Sequence, residues 1–369
     1  MLAHSTLPRG GVVHAMSLAE ALSGQGVEVV LHAPDVSGAG FFRAAACQTR
    51  AFPVAPAPRD MIAMVEQRIA DYVAWFAPAQ NRGFDLYHAH DGISGNALAT
   101  LKQRGLIPGF VRTVHHLDAF ADPRLDALQA RSIREADALL TVSDLWRRRL
   151  VEDFGRQAAI CGNGVDLARF SPGDGSALRA RWGLGAGPVF VAVGGVEARK
   201  NTLRMIEAFA MLARDWPDAR LVIAGGASLL DHGEYQSAFR AAMAAHGAGV
   251  VVTGPLADAD MAPLYRLAAA LVFASVKEGF GLCVLEAMAC GAPVVVSRLP
   301  PFTEYLSEGE ALFCDPFDPA SIAAAMRAAL QPDAAARRRG QAVAAAHCWR
   351  AVAERTLAFY QSQQEPADA

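Results

Sequence analysis

At 369 residues the chain is too long for one ordinary core and suits two domains. Its 53% hydrophobic and 19% charged content excludes a disordered chain. A net charge of −3 with no long basic run argues against nucleic acid as the main partner, though not against a local basic pocket. Cys47, Cys161, Cys283, Cys290, Cys314 and Cys348 form no C-x-x-C pair and read as reduced thiols, mostly core fillers. No stretch reaches the roughly 20 apolar residues a membrane span needs, and the N-terminus lacks a signal-peptide pattern. The expected location is the cytoplasm, with peripheral membrane contact left open.

In chain order, the first four residues look like the tail of a strand, four or five residues short of a usual one. Either the start codon is assigned late or the sheet begins with a stub. A loop follows and ends in Arg9-Gly10-Gly11. Val12, Val13, Met16, Ala19 and Leu22 then keep helical spacing until Gly24 and Gly26 close the helix. A strand is expected over 27–31, a Pro-rich loop over 52–58 and a core-packing amphipathic helix over 61–76. Strands over 85–88, 111–114, 138–142 and 158–161 alternate with helices, one of them from about Ile93 and one capped at Ser143-Asp144. Such alternation marks a doubly wound parallel sheet, in which ligands bind beyond the strands' carboxyl ends. His90, His115, Ser143 and Asn163 fall at or just past such ends.

Four glycines between residues 162 and 175 shift the composition and mark the domain boundary. The alternation then restarts. Strands are expected over 189–193, 221–224, 250–253, 270–274, 294–296 and 311–313, with helices over 202–213 and 261–267 and one between the second and third strands. The expected domains are 1–168, 169–346 and a C-terminal helix over 347–369 that crosses back to the first.

The densest stretch is Glu278-Gly-Phe-Gly-Leu-Cys-Val-Leu-Glu286. It reads as strand, tight turn and helix N-terminus, with one acid at the turn and one about a turn into the helix. Unspent N–H groups and the positive dipole end suit a phosphate, glycines admit a close ligand, and a carboxylate can accept from paired hydroxyls. Phosphates plus hydroxyls imply a nucleotide or nucleotide-sugar; the plainer alternative is a strand–helix joint with two solvated glutamates. Arg199 and Lys200, on a loop after a strand, could offset a diphosphate or be a common exposed pair. His88-x-His90-Asp91 and His115-His116-x-Asp118 invite a metal, but no Cys cluster or H-E-x-x-H accompanies them. No metal is therefore expected, and these histidines better suit hydrogen bonds to a sugar or acceptor. For His88 and His116 the alternative of a strand-end histidine satisfied by backbone stays open. The dinucleotide G-x-G-x-x-G, the hydrolase G-x-S-x-G and the P-loop are all missing.

In order, Arg9-Gly10-Gly11, Thr113-Val114-His115, Asn163-Gly164-Val165-Asp166, Arg199-Lys200-Asn201 and the E-x7-E block with its trailing Gly-Ala-Pro-Val-Val-Val carry a resemblance. The chain resembles the family-4 retaining glycosyltransferases of the GT-B fold, over essentially its whole length. Its opening through Val13-His14 is similar to an actinobacterial-type subgroup of unassigned substrate. The resemblance implies two Rossmann-like doubly wound α/β domains facing a cleft, a nucleotide-diphosphate sugar as donor and a hydroxyl acceptor. It implies no cofactor, no metal and no nucleic acid. Glu286 would hold the ribose hydroxyls and Glu278 face the donor sugar. Phe280 and Gly281 would present backbone amides, with Leu282 beside them in the donor site. Lys200 matches the phosphate-binding lysine, Gly10 and Gly11 the loop that closes over the diphosphate, and His115 the histidine at the reaction centre. His90, Asp91 and Asn163 would lie near the acceptor and sugar. Gly194-Gly195 stands where the family often has Gly-Arg, and Arg199 would replace that arginine. A nucleotide-sugar epimerase of the same fold, or a non-catalytic nucleotide-sugar-binding protein, is the alternative.

Overall fold

The structure, a computed structural model, describes residues 1–225, 233–331 and 333–364. It divides into two compact units, one of residues 1–163 with the chain from Trp349 on, the other of Gly164–Cys348.

In chain order the first unit holds α1 (Gly10–Ser23), β1 (Val30–Asp35), β2 (Gln48–Pro53), α2 (Met61–Phe76), β3 (His88–Ala89), α3 (Gly92–Gln103), β4 (Val111–Val114), α4 (Pro123–Arg134), β5 (Ala138–Thr141), α5 (Asp144–Phe154) and β6 (Ala159–Ile160). β1 pairs with β2, and β3 to β6 pair in that order, all in parallel. Leu2 joins the two sets, bridging His32 of β1 and Ala89 of β3. Its N–H donates to the His88 carbonyl (2.9 Å), and its carbonyl accepts from the His90 N–H (3.1 Å). The short opening segment thus lies in the middle of the sheet, where the strand order reverses. In doubly wound sheets that reversal is where ligands bind.

Three local expectations shift here. The strand foreseen at 27–31 starts at Val30, because the Val27 N–H still closes the end of α1 on the Leu22 carbonyl (3.1 Å). His32 and Pro34 then interrupt the apolar pattern, although the whole strand is buried. β2, a largely exposed edge strand, and α4, a charged helix capped by Asp122, give weak apolar periodicity and were not foreseen.

The second unit holds α6 (Ser176–Arg181), β7 (Val189–Val193), α7 (Thr202–Ala213), β8 (Arg220–Ala224), α8 (Gly233–His246), β9 (Val250–Gly254), α9 (Met261–Leu267), β10 (Ala270–Phe273), α10 (Leu282–Ala289), β11 (Val294–Ser297), α11 (Phe302–Tyr305), β12 (Leu312–Cys314), α12 (Pro319–Ala329) and α13 (Ala334–Ala346). Its parallel sheet runs β12-β11-β10-β7-β8-β9. β7, β10 and β11 are near-continuous apolar runs, as strands covered on both faces require. Phe190, Ile206, Phe209, Leu221, Val272 and Met326 lie fully buried in its core. The strand order reverses between β7 and β10, so the loops after those strands, 194–201 and 274–281, share the crevice end of the sheet.

The last helix, α14 (Trp349–Gln364), belongs to the first unit and packs on α1. It starts two residues after the expected 347, and residues 365–369 of that expectation lie outside the described residues. The break after residue 163 precedes the expected one at 168. Residues 165–170 are fastened to the second unit: the Val165 N–H donates to the His347 carbonyl (2.8 Å), Arg169 pairs with Asp258 (2.7 Å) and Phe170 packs on Tyr265. Among the described residues no helix is long and apolar enough to cross a membrane.

Candidate functional site

In the second unit, the loop after β7 is built around Lys200. Gly194 has φ +127°, and a Cβ there would stand 2.5 Å from the Lys200 Cε, so only glycine lets the lysine cross the loop. Asn201, at φ 62° ahead of α7, is buried and donates to the carbonyls of Ala274 (2.9 Å) and Pro316 (2.6 Å). The Val276 N–H donates to the Arg199 carbonyl (2.8 Å). Loops after β7, β10 and β12 are therefore locked together, which fixes the two cations before any ligand arrives.

Both cations converge on one carboxylate. Glu278 Oε1 accepts from Lys200 Nζ (2.7 Å) and Arg199 Nη1 (3.4 Å), while Arg199 Nε donates to Glu197 Oε2 (2.9 Å). Lys200 also sits over the Phe273 ring, 4.4 Å from its centroid. Burial alone would push the Glu278 carboxyl up, but Lys200 and then Arg199 outweigh it and hold it below its ordinary value. Glu286, on α10, behaves oppositely. Burial raises it, against the Tyr265 hydroxyl, which donates to its Oε2 (2.7 Å), and Arg169. Two carboxyls eight positions apart are thus pushed in opposite directions, Glu278 toward the ionised form by its two cations and Glu286 toward the neutral form by burial.

The turn between them is held from one side. Phe280 stacks on Tyr305 (4.5 Å, 7°), whose hydroxyl donates to the Phe280 carbonyl (3.2 Å). Gly281 has φ +99°, and a Cβ would meet the Phe302 ring at 2.8 Å. Among the described residues no side chain caps α10, which begins at Leu282, or α1, which begins at Gly10. Both helix ends keep their dipole and N–H groups for an anion.

The first unit gathers histidines. Gly11 stands against the His115 ring, its Cβ direction 3.6 Å from Cδ2, with the His90 carbonyl at 3.9 Å. His14, one turn along α1, meets the His115 ring edge-on at 4.6 Å and the Trp349 ring at 5.2 Å. His14 Nδ1 bonds Asn163 Oδ1 at 2.5 Å. Burial pushes His14 down to about 4, and holds His90 and His115 well below the ordinary histidine value. All three are neutral at pH 7. His14, His90 and His115 each offer a ring nitrogen within 4.8 Å of the others.

Among the residues singled out from sequence, Arg199, Lys200 and Glu278 are brought into contact, and Gly281, Leu282 and Glu286 share the start of α10. Gly11, His90 and His115 also meet, with Asn163 joined through His14. Asp91 instead caps α3, its Oδ1 accepting from the Ser94 N–H (2.7 Å). His88 turns away from any metal, bonded to the Tyr360 hydroxyl (2.5 Å) and Thr113 Oγ1 (2.7 Å). Its ring partners are side chains of the protein, neither a sugar or acceptor nor the backbone left open as the alternative. Sequence reasoning missed His14, Glu197, Tyr265 and Tyr305 as site residues. His14 had one signal, an imidazole among the buried apolar residues of α1; the other three had none.

Comparisons with known proteins show the family and the fold. The family model for glycosyl transferases group 1 matches residues 177–345, and that for glycosyltransferase family 4 matches residues 8–169. The glycogen synthase of Mycobacterium tuberculosis is 30% identical over 297 residues, covering 75% of this chain and 68% of that protein. A D-inositol 3-phosphate glycosyltransferase of Kineococcus radiotolerans is 31% identical over 317 residues, covering 76% and 72%. Among solved structures, sucrose-phosphate synthase from Thermosynechococcus elongatus superposes with TM-score 0.80 at 21% identity, covering 98% of this chain and 96% of that one. Anabaena HepE in complex with UDP and glucose gives 0.79 at 18% identity, covering 98% of each.

Proposed function

The chain is a glycosyltransferase of the GT-B fold, a member of the group 1 and family 4 transferases acting on nucleotide sugars, and from that premise we propose that it transfers a sugar to a hydroxyl acceptor with retained configuration and without a metal cofactor. The observation that carries this reading is the Lys200–Glu278–Arg199 cluster at the strand-order reversal of the second sheet, with Glu286 on the adjoining helix.

In this reading Lys200, Arg199 and the N-terminus of α10 take the diphosphate, a metal-free set of positive groups. Arg199 does the work of the arginine that Gly195 lacks, and Glu197 orients it. Glu286 accepts from the ribose hydroxyls, and Tyr265 aims it. Glu278 faces the donor sugar. In the first unit, His115, the Gly10-Gly11 helix start, His90 and Asn163 keep the roles that the family resemblance implies.

The bond between the anomeric carbon and the diphosphate oxygen breaks first, and its electron pair leaves with the diphosphate. The cations and helix-end amides stabilise that developing charge. The acceptor hydroxyl attacks the oxocarbenium-like carbon from the same face, and its proton passes to the departing phosphate oxygen. The E-x7-E pair binds rather than cleaves, unlike the paired carboxylates of glycoside hydrolases.

HepE was crystallised with UDP and with UDP-glucose, so a uridine diphosphate sugar is the first donor to test against its guanosine and adenosine counterparts. A ligand at about 100 times its Kd adds about 2.7 kcal/mol and raises Tm. With the donor found, NMR of the product reads the anomeric configuration. An inverted linkage, or turnover without acceptor, defeats the proposal.

A further inference from the structure

We propose that His14, His90 and His115 form a binding site for one borderline transition-metal dication of the Zn2+ class, and that the ion inhibits transfer. The second clause rests on the role proposed above for His115; the first does not.

Three features point to an ion. Geometry comes first: three imidazoles from α1 and from the ends of β3 and β4 offer nitrogens within 4.8 Å of one another. A tetrahedral ion with Zn–N bonds of about 2.0–2.1 Å needs nitrogens about 3.4 Å apart, within reach of small ring rotations. Satisfaction comes second. His14 Nε2, both ring nitrogens of His90, and His115 Nε2 are buried without a hydrogen-bond partner among the described residues. A buried polar atom left so is costly unless something occupies it. The tautomer comes third. His14 Nδ1–H donates to Asn163 Oδ1 (2.5 Å), which leaves the lone pair on Nε2, a buried nitrogen. Ligand histidines are commonly oriented by such a second hydrogen bond.

The donor set also selects the ion. Three neutral imidazoles and an open fourth position suit Zn2+, Co2+, Ni2+ or Cu2+; Mg2+ and Ca2+ require oxygen ligands. Burial keeps all three rings neutral, so no proton competes with the ion near pH 7. His88 takes no part, since both its nitrogens are bonded elsewhere. An ion held by His115 removes that ring from the reaction, which makes the metal an inhibitor and not a cofactor.

Metal-free full-length protein titrated with Co2+ is the test. One equivalent should give the intense visible d–d bands of a tetrahedral nitrogen site; Zn2+ should bleach them and Mg2+ should not. His90→Gln and His14→Gln should abolish the bands, and Asn163→Ala should weaken binding about 10–100-fold. His246→Gln, on α8 of the second unit, should leave the bands intact, and circular dichroism confirms that each variant is folded. No bands, or bands that survive both histidine variants, overturn the site; a bound water then fills the cluster. In the transfer assay, Zn2+ should inhibit the wild type, EDTA should reverse this, and the residual activity of His14→Gln should be resistant. Full transfer at saturating Zn2+ overturns the inhibitory clause while the cobalt spectrum still judges the site.

Discussion

The two units carry the same strand logic and opposite electrostatics. Each has a parallel sheet whose order reverses near its middle, and each places its chemistry beyond that reversal. In the second unit the groups there are ions: Lys200 and Arg199 share Glu278, and Glu197 holds Arg199. In the first they are uncharged rings, kept neutral because burial disfavours the imidazolium. A diphosphate needs fixed cations, whereas a hydroxyl-bearing ligand needs donors and acceptors that do not compete as charges. On the proposed function, one topology serves two kinds of ligand group by changing what sits on its loops.

The strongest test of the ionic side is Lys200→Ala. It removes the cation that neutralises Glu278 and, in the proposed role, the leaving phosphate. Loss of one such charge-stabilising donor lowers kcat by about 10²–10³. Steady-state kinetics checks it, with circular dichroism to verify folding; an unchanged kcat sinks the assignment.

Next in size is the response to acid, which separates the two sides. His14 has an ordinary value of 6.5 and a folded value of about 4, so between those values the unfolded chain binds a proton that the folded one refuses. Stability should fall as pH drops from 6.5 to 4, by roughly 3 kcal/mol from this residue alone. Glu278 works in a lower window. Its folded value is depressed, so its contribution is present above 4.5 and lost as pH falls through the folded value. Denaturant titrations across pH 4–7 should show the slope, and His14→Gln should shrink it. A slope unaltered in that variant refutes the first window.

Asn201→Ala should destabilise the second unit by about 2 kcal/mol, since it strips the donor from two buried carbonyls and puts alanine at a positive φ that it resists. Its readout is Cm in urea at constant m, with little change expected in the first unit. The smallest effect belongs to Arg199→Ala. Half-exposed and 3.4 Å from Glu278, the arginine is the lesser cation, and its loss should raise donor KM about 5–10-fold, near 1 kcal/mol. Unchanged KM and kcat would remove it as the substitute for the missing arginine.

The ionic site was largely legible in the sequence because its parts are local. Gly279 to Gly281 and the apolar run after them dictate a turn and a helix start, and Glu286 follows by helical spacing. Arg199 and Lys200 sit at a strand–helix joint of the same kind. The alternating strands and helices, read from period and punctuation, likewise gave the α/β class. β1's true bounds, edge strand β2 and helix α4 were not readable, because exposure or interrupting polar residues erased their period.

What the sequence by itself determined is the set of short-range devices: helix starts without caps, glycines at joints, and paired cations and acids at fixed spacing. Only the tertiary structure decided which distant groups share one place. His14, His90, His115 and Asn163 meet because α1, β3, β4 and the end of the first unit converge beside α14. Tyr265 reaches Glu286 from a separate helix, and Lys200 finds Glu278 across 78 positions of chain. The reason is physical: backbone propensity acts over a few residues, whereas contact across a sheet depends on strand order, which no local pattern encodes.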